Sequence, residues 1–211
     1  MKVPMEIAMV IQQGQFHRDY HGEWVENCLS ISHDGHIDAS ELINTFLLSE
    51  QVTQSLLAFL EVLSRFSDAC SLSLKNNNLS KIIPEALAHL VKMHLTHLDM
   101  GNCQIVQLDF FPQLASSCPV LRDLDLQGNN FSAGNIAPIE YWHVNQEIID
   151  NFGFKHEQMI RGMSHLGRLK HLEQLNLSKT NIQGLGRNLA VLVGHLVQKN
   201  KLSKLGLGGM G

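Results

Sequence analysis

The chain has 211 residues and a formal net charge of -4; it is 44% hydrophobic and 17% charged, with a sequence pI near 6.3 and a mean hydropathy of -0.03. Those values fit one globular domain with a sizeable core and give no electrostatic footprint for nucleic acid or an anionic membrane. No apolar run reaches the roughly 20 residues a membrane span needs, and Pro4 and Glu6 interrupt the first apolar residues, so no signal peptide is read.

Residues 1–28 show no repeat and are expected to cap the N-terminal end of the domain. Leu29-Ser30-Ile31 reads as a degenerate first strand, with Asp34 at the following turn. Ser30 to Glu41 places Gly35, Ile37, Asp38 and Glu41 as the second half of an EF-hand loop does. The first half fails, because Ser30 and Ser32 stand where carboxylates belong. The expectation is therefore strand, turn, then a helix capped near Asp38 or Ser40. Leu42, Ile43, Phe46 and Leu47 make one helical stripe; Leu56, Leu57, Leu60 and Leu63 make a second.

From Leu72 onward one short pattern recurs. Leu121, Leu124, Leu126, Asn129 and Phe131 hold the spacing L-x-x-L-x-L-x-x-N-x-L. Leu95, Leu98, Met100, Cys103 and Ile105 repeat it, as do Leu172, Leu175, Leu177, Thr180 and Ile182. Leu72, Leu74, Asn77 and Leu79 nearly keep it, and Leu202, Leu205, Leu207 and Met210 begin a last copy. Leucines two apart lie on one side of a strand, which throws the alternate residues outward. The small polar residue at each turn (Asn77, Cys103, Asn129, Thr180) is expected to satisfy backbone groups that stacking would bury. Helices are expected between the strands at 84–93, 111–117, 158–169 and 188–198, with Leu87, Leu90 and Val91 as the core side of the first.

Self-similarity at this spacing resembles leucine-rich-repeat proteins, most of all the ribonuclease-inhibitor-like subtype. It is similar, more loosely, to small repeat proteins that intracellular bacterial pathogens secrete into host cells. The resemblance implies an α/β solenoid in which a parallel sheet lines the concave face and helices the convex face. Strands are expected near 29–31, 72–74, 98–100, 124–126, 175–177 and 205–207, making residues 29–211 the repeat domain. The step from Leu124 to Leu175 is too long for one repeat, so an insert is placed at about 134–158, rich in aromatics. The chain stops at Gly211 just after its last strand, and a bare sheet edge is a pairing liability. A fragment lacking its C-terminal cap is the expected reason, with a partner that covers the edge as the alternative.

The outward residues form three rows, and the middle of that wall is acidic. The candidate protein-binding residues are Lys75, His97, Asp99, Asp123, Asp125, Gln127, Gln174 and Asn176 on the sheet, with Tyr141 and Trp142 from the insert. Chemistry is harder to find. Twelve histidines include the close pairs His17/His21, His33/His36 and His94/His97, but no third ligand follows at metal-site spacing. Four cysteines occur without a C-x-x-C pair and are expected to be reduced. No phosphate loop, dinucleotide glycine pattern or nucleophile elbow is present.

The resulting expectation is a non-catalytic protein-binding module with no cofactor, located in the cytoplasm or delivered to a host cell by a non-classical bacterial route. What the resemblance implies is a regulator or inhibitor that covers a partner enzyme. The alternatives are a recognition adaptor in a larger assembly such as a ubiquitin ligase, and an enzyme with an unrecognised metal or cysteine site.

Overall fold

The computed structural model describes residues 30–31, 36–40, 57, 60–61, 63–64, 70–80, 83–131, 154–180, 182 and 187–209. Among them, seven strands form one sheet in chain order. They are β1 (Ser30–Ile31), β2 (His36–Asp38), β3 (Ser71–Ser73), β4 (His97–Asp99), β5 (Asp123–Asp125), β6 (Gln174–Asn176) and β7 (Lys204–Gly206). From β2 to β7 every pairing is parallel, and Leu72, Leu98, Leu124, Leu175 and Leu205 are direct partners across it. The first four of these leucines are at most 2% exposed, so they share one interior. A strand with one buried residue between two outward ones cannot bury enough alone; stacking supplies the core.

Parallel neighbours need crossovers, and helices supply them. These are α1 (Ile83–Leu90), α2 (Phe110–Ser117), α3 (Phe154–Ser164), continued by a 3-10 turn at His165–Arg168, and α4 (Arg187–Lys199). Ala86, Leu87 and Leu90 of α1 are buried. Leu192 and Leu196 of α4, four apart, are buried likewise. The Cβ of any residue replacing Gly162 in α3 would stand 3.0 Å from the Leu108 carbonyl oxygen, which is how closely α3 approaches the preceding repeat. Phe110, Phe111 and Phe131 fill the centre, with ring centroids 4.9 Å apart for Phe111 and Phe131.

Each turn after β3 to β7 is built the same way. Its second residue takes a left-handed conformation: Asn76, Asn102, Gly128, Lys179 and Gly209 have φ between 55° and 70°. Asn and Gly adopt this readily; Lys179 does not. A Cβ on Gly128 would lie 1.8 Å from Asn102 Oδ1, so that turn requires glycine twice over. Behind the turns runs the polar ladder. Asn129 Nδ2 donates to the Met100 and Leu126 carbonyls, while its Oδ1 accepts from the Cys103 and Ile105 N–H groups. Asn77 Nδ2 donates to the Ala39 and Leu74 carbonyls. The Cys103 thiol donates to Leu74 O, and the Thr180 hydroxyl to Leu177 O.

Several boundaries differ from the sequence expectation. Strands β3 to β7 begin one residue early, because the outward residue before each central leucine joins the hydrogen-bond ladder. Ser30–Ile31 pairs antiparallel with β2, so the parallel array starts at His36–Asp38 instead. Asp38 therefore sits in a strand, and its Oδ1 accepts from the Ser40 N–H at 3.0 Å; the helix expected after it lies outside the described residues. Val91 falls beyond the end of α1 and is 53% exposed; Met93 takes the buried place. Helix α3 starts at Phe154, inside the expected insert, and turns 3-10 at His165. Residues 1–28, the 42–47 stripe and the insert up to residue 153 lie outside the described residues.

Candidate protein-binding face

The sheet register sorts the outward side chains into rows. The first row runs His36, Ser71, His97, Asp123, Gln174 and Lys204; the second runs Asp38, Ser73, Asp99, Asp125, Asn176 and Gly206. Together they line a concave depression of about 540 Å³. The central leucine of each strand turns the other way, into the core, which is what leaves the polar residues together on this wall.

The second row is held by its own turns. Asp99 Oδ1 accepts from the Gly101 N–H at 2.8 Å, Asp125 Oδ1 from Gln127 at 2.9 Å, and Asn176 Oδ1 from Ser178 at 3.0 Å. Such Asx turns fix each carboxylate or amide without using its second polar atom. Asn176 spends that atom on its neighbour, donating through Nδ2 to Asp125 Oδ2 at 2.9 Å. Burial pushes the Asp99 carboxyl above the ordinary carboxylate range; the Gly101 N–H opposes this, Asp125 adds to it, Lys75 opposes it and Asp38 adds to it.

In the first row, His97 Nε2 stands 2.7 Å from Asp123 Oδ2, and His97 Nδ1 stands 2.8 Å from Thr96 Oγ1. One strand back, His36 Nδ1 is 2.7 Å from Ser71 Oγ. A serine hydroxyl and an imidazole thus touch in this row, and two strands beyond Ser71 the carboxylate of Asp123 is engaged by His97. The first row is built of paired polar groups.

The register brings His97, Asp99, Asp123, Asp125, Gln174 and Asn176 into this depression together. Lys75 and Gln127 flank it in the third row, two residues beyond Ser73 and Asp125. Tyr141 and Trp142 lie outside the described residues. His36 and Asp38 belong to the wall and were missed from sequence. Their signal was present, since His36-Ile37-Asp38 matches His97-Leu98-Asp99 in pattern, but 35 residues separate His36 from its partner Ser71 and hide the period.

Thiolate chemistry is disfavoured at Cys103 and Cys118. Burial pushes the Cys103 and Cys118 thiols up to about 12, far from the range of a reactive thiolate. Cys103 and Cys118 are free cysteines. Among the described residues no group of His, Cys, Asp and Glu has the arrangement of a metal site, and no helix is long and apolar enough to cross a membrane.

A family described as "Leucine Rich Repeat" matches residues 70–90, and another described as "Leucine Rich repeat" matches residues 91–106 and 168–187. These spans hold β3, β4 and β6 with their polar ladder residues Asn77, Cys103 and Thr180. No curated protein matches the chain. Domains built from such repeats generally mediate protein–protein interaction and are typically non-catalytic. With a parallel sheet on one wall and helical crossovers on the other, the chain carries leucine-rich repeats and folds as a leucine-rich-repeat solenoid.

Proposed function

We propose that the concave wall binds a basic segment of another protein. The observation that carries this is the convergence of four carboxylates, Asp38 on β2, Asp99 on β4, and Asp123 and Asp125 on β5, around one depression. Their mutual repulsion is a standing cost to the fold that a cationic partner relieves, so complementary charge favours binding and steers encounter. The described part of the wall holds no Trp, Tyr or Arg anchor, which makes recognition here electrostatic, with Tyr141 and Trp142 proposed as the aromatic contribution.

The resemblance to ribonuclease-inhibitor-like proteins extends the proposal to a regulator that covers a partner enzyme. The looser resemblance to secreted bacterial repeat proteins makes a host protein the candidate partner.

The test is binding of a fluorescent arginine-rich peptide, followed by anisotropy, to the wild type and to an Asp99→Asn/Asp123→Asn/Asp125→Asn variant. The amides keep acceptors for the turn N–H groups, so the variant isolates charge from folding. Salt-sensitive binding that falls at least tenfold in the variant supports the proposal; equal binding by both proteins overturns it.

A further inference from the structure

The chain's small net charge conceals a steep segregation. Residues 158–211 hold eight Lys and Arg against a single acidic residue, Glu173, whereas residues 1–157 hold eight Lys and Arg against 19 Asp and Glu. In the fold, part of the basic excess gathers on one ridge, where the helical segments turn back into β6 and β7. Arg168 ends the 3-10 turn, and Lys170 follows two residues later. Lys199 ends α4, with Lys201 two residues later. All four are exposed.

The two turns are pinned to each other. Asn200 Nδ2 donates to the Leu166 and Leu169 carbonyls at 2.9 and 2.6 Å. A Cβ on Gly167 would lie 3.3 Å from Lys199 Cβ and 3.0 Å from His195 Nε2, so α4 sits directly against the turn that carries Arg168. Charges this close show in their neighbours. Burial and then Lys199 lower the His195 imidazole, with Lys170 acting the same way. Glu173 is the ridge's only carboxylate, and it stands 3.5 Å from Arg122 of the preceding turn.

We propose that this ridge docks into the acidic concave wall of a second copy of the same chain, giving a head-to-tail association. The inference rests on the reading of the wall as a binding face for basic segments, and names its occupant. Charge complementarity is the argument: the basic ridge carries Arg168, Lys170, Lys199 and Lys201, and the wall carries Asp38, Asp99, Asp123 and Asp125. The four basic residues are exposed and the wall is a depression. A polyanion is the rival occupant, and the oligonucleotide arm below tests it. Docking runs from the ridge of one copy to the wall of the next, a heterologous contact that leaves one free site at each end.

The experiment is sedimentation equilibrium of the full chain across a concentration series, at about 0.01 M and about 1 M salt, where the Debye length falls from about 30 to about 3 Å. The ridge variant is Lys170→Glu/Lys199→Glu/Lys201→Glu, and the wall variant is Asp99→Lys/Asp123→Lys/Asp125→Lys, each checked for native circular dichroism. The expected result is a mass that rises with concentration at low salt and returns to monomer at high salt. Each variant alone stays monomeric, and an equimolar mixture associates again. Should the wall variant lose its fold, the triple asparagine variant takes its place and is expected to associate at least tenfold more weakly than the wild type. A wild type that stays monomeric at low salt overturns the inference, as does a ridge variant that still associates. So does ridge-dependent binding of a duplex oligonucleotide by a monomeric wild type. If the wild type is monomeric yet binds the arginine-rich peptide, this inference falls alone; if the peptide is not bound either, the reading of the wall falls with it.

Discussion

His97 and Asp123, partners across β4 and β5, form a pair whose second ring nitrogen is also committed. His97 Nδ1 lies against Thr96 Oγ1, and that hydroxyl donates its only hydrogen to the Cys70 carbonyl. The threonine oxygen therefore accepts from His97, and the imidazole faces acceptors on both sides. Asp123 Oδ1, by contrast, is enclosed with no hydrogen-bond partner among the described residues. His97 is thus the group that compensates this carboxylate. His97→Ala is expected to lower stability by up to about 1 kcal/mol, the range for an exposed pair, and to tighten binding of an arginine-rich peptide. Urea denaturation and fluorescence anisotropy read the two effects, and weaker peptide binding in the variant would show that His97 itself contacts the ligand.

Asp99 is held above the ordinary carboxylate range first by burial and also by Asp125 and Asp38, so its charge strains the fold at neutral pH. A carboxyl group with a raised folded-state pKa contributes stability at low pH that is lost as pH rises through that value. Asp99→Asn keeps the acceptor for the Gly101 N–H and removes the charge. The variant is expected to be more stable than wild type at pH 7, with the gain vanishing in acid, and to lose affinity for cationic peptides. Urea midpoints at pH 7 and at acid pH check this; a variant less stable than wild type at pH 7 contradicts it.

The ladder residues are unequal. Asn129 serves four buried backbone groups, whereas the Thr180 hydroxyl serves the Leu177 carbonyl. Leaving buried polar groups unpaired costs about 1–3 kcal/mol each before relaxation. Asn129→Ala is expected to cost at least about 3 kcal/mol and Thr180→Ala about 1 kcal/mol. Equal urea midpoints for the two variants would rule out this division.

The repeating leucines made the register of β3 to β7 readable, because a period of two residues admits one choice of buried side once the core is fixed. Asp99, Asp123 and Asp125 followed directly from that register. β2 stayed hidden because the connection between β2 and β3 breaks the 26-residue step that links Ser71, His97 and Asp123. Its outward His36 and Asp38 were lost with it. The ridge of Arg168, Lys170, Lys199 and Lys201 was also written in the sequence, but a chain-wide net charge of -4 averages it away. Only the packing of α4 against the turn at Gly167 shows that these residues, some 30 apart along the chain, are neighbours.

Histidines near that ridge set the expected pH response. Burial, and then Arg168, lower His165 from 6.5 to about 4. A histidine depressed in this way stabilises the fold above its unfolded value, and the contribution is lost as pH falls from about 6.5 toward about 4. His195, lowered by burial and by Lys199, acts in the same direction. His165→Gln removes one titrating group, so its urea midpoint should decline less steeply over that window. The difference is on the order of 1 kcal/mol after allowing for screening at a half-exposed ring. Parallel pH profiles for the two proteins would contradict it.

The most direct measurement places a photo-crosslinking amino acid either at Gln127, beside the acidic wall, or at Val91, exposed beyond α1. Each protein is then irradiated with an arginine-rich peptide. Binding at the concave wall predicts a peptide adduct from position 127, suppressed by high salt, and little or none from position 91. Equal labelling from both positions, or labelling from position 91 alone, would contradict it.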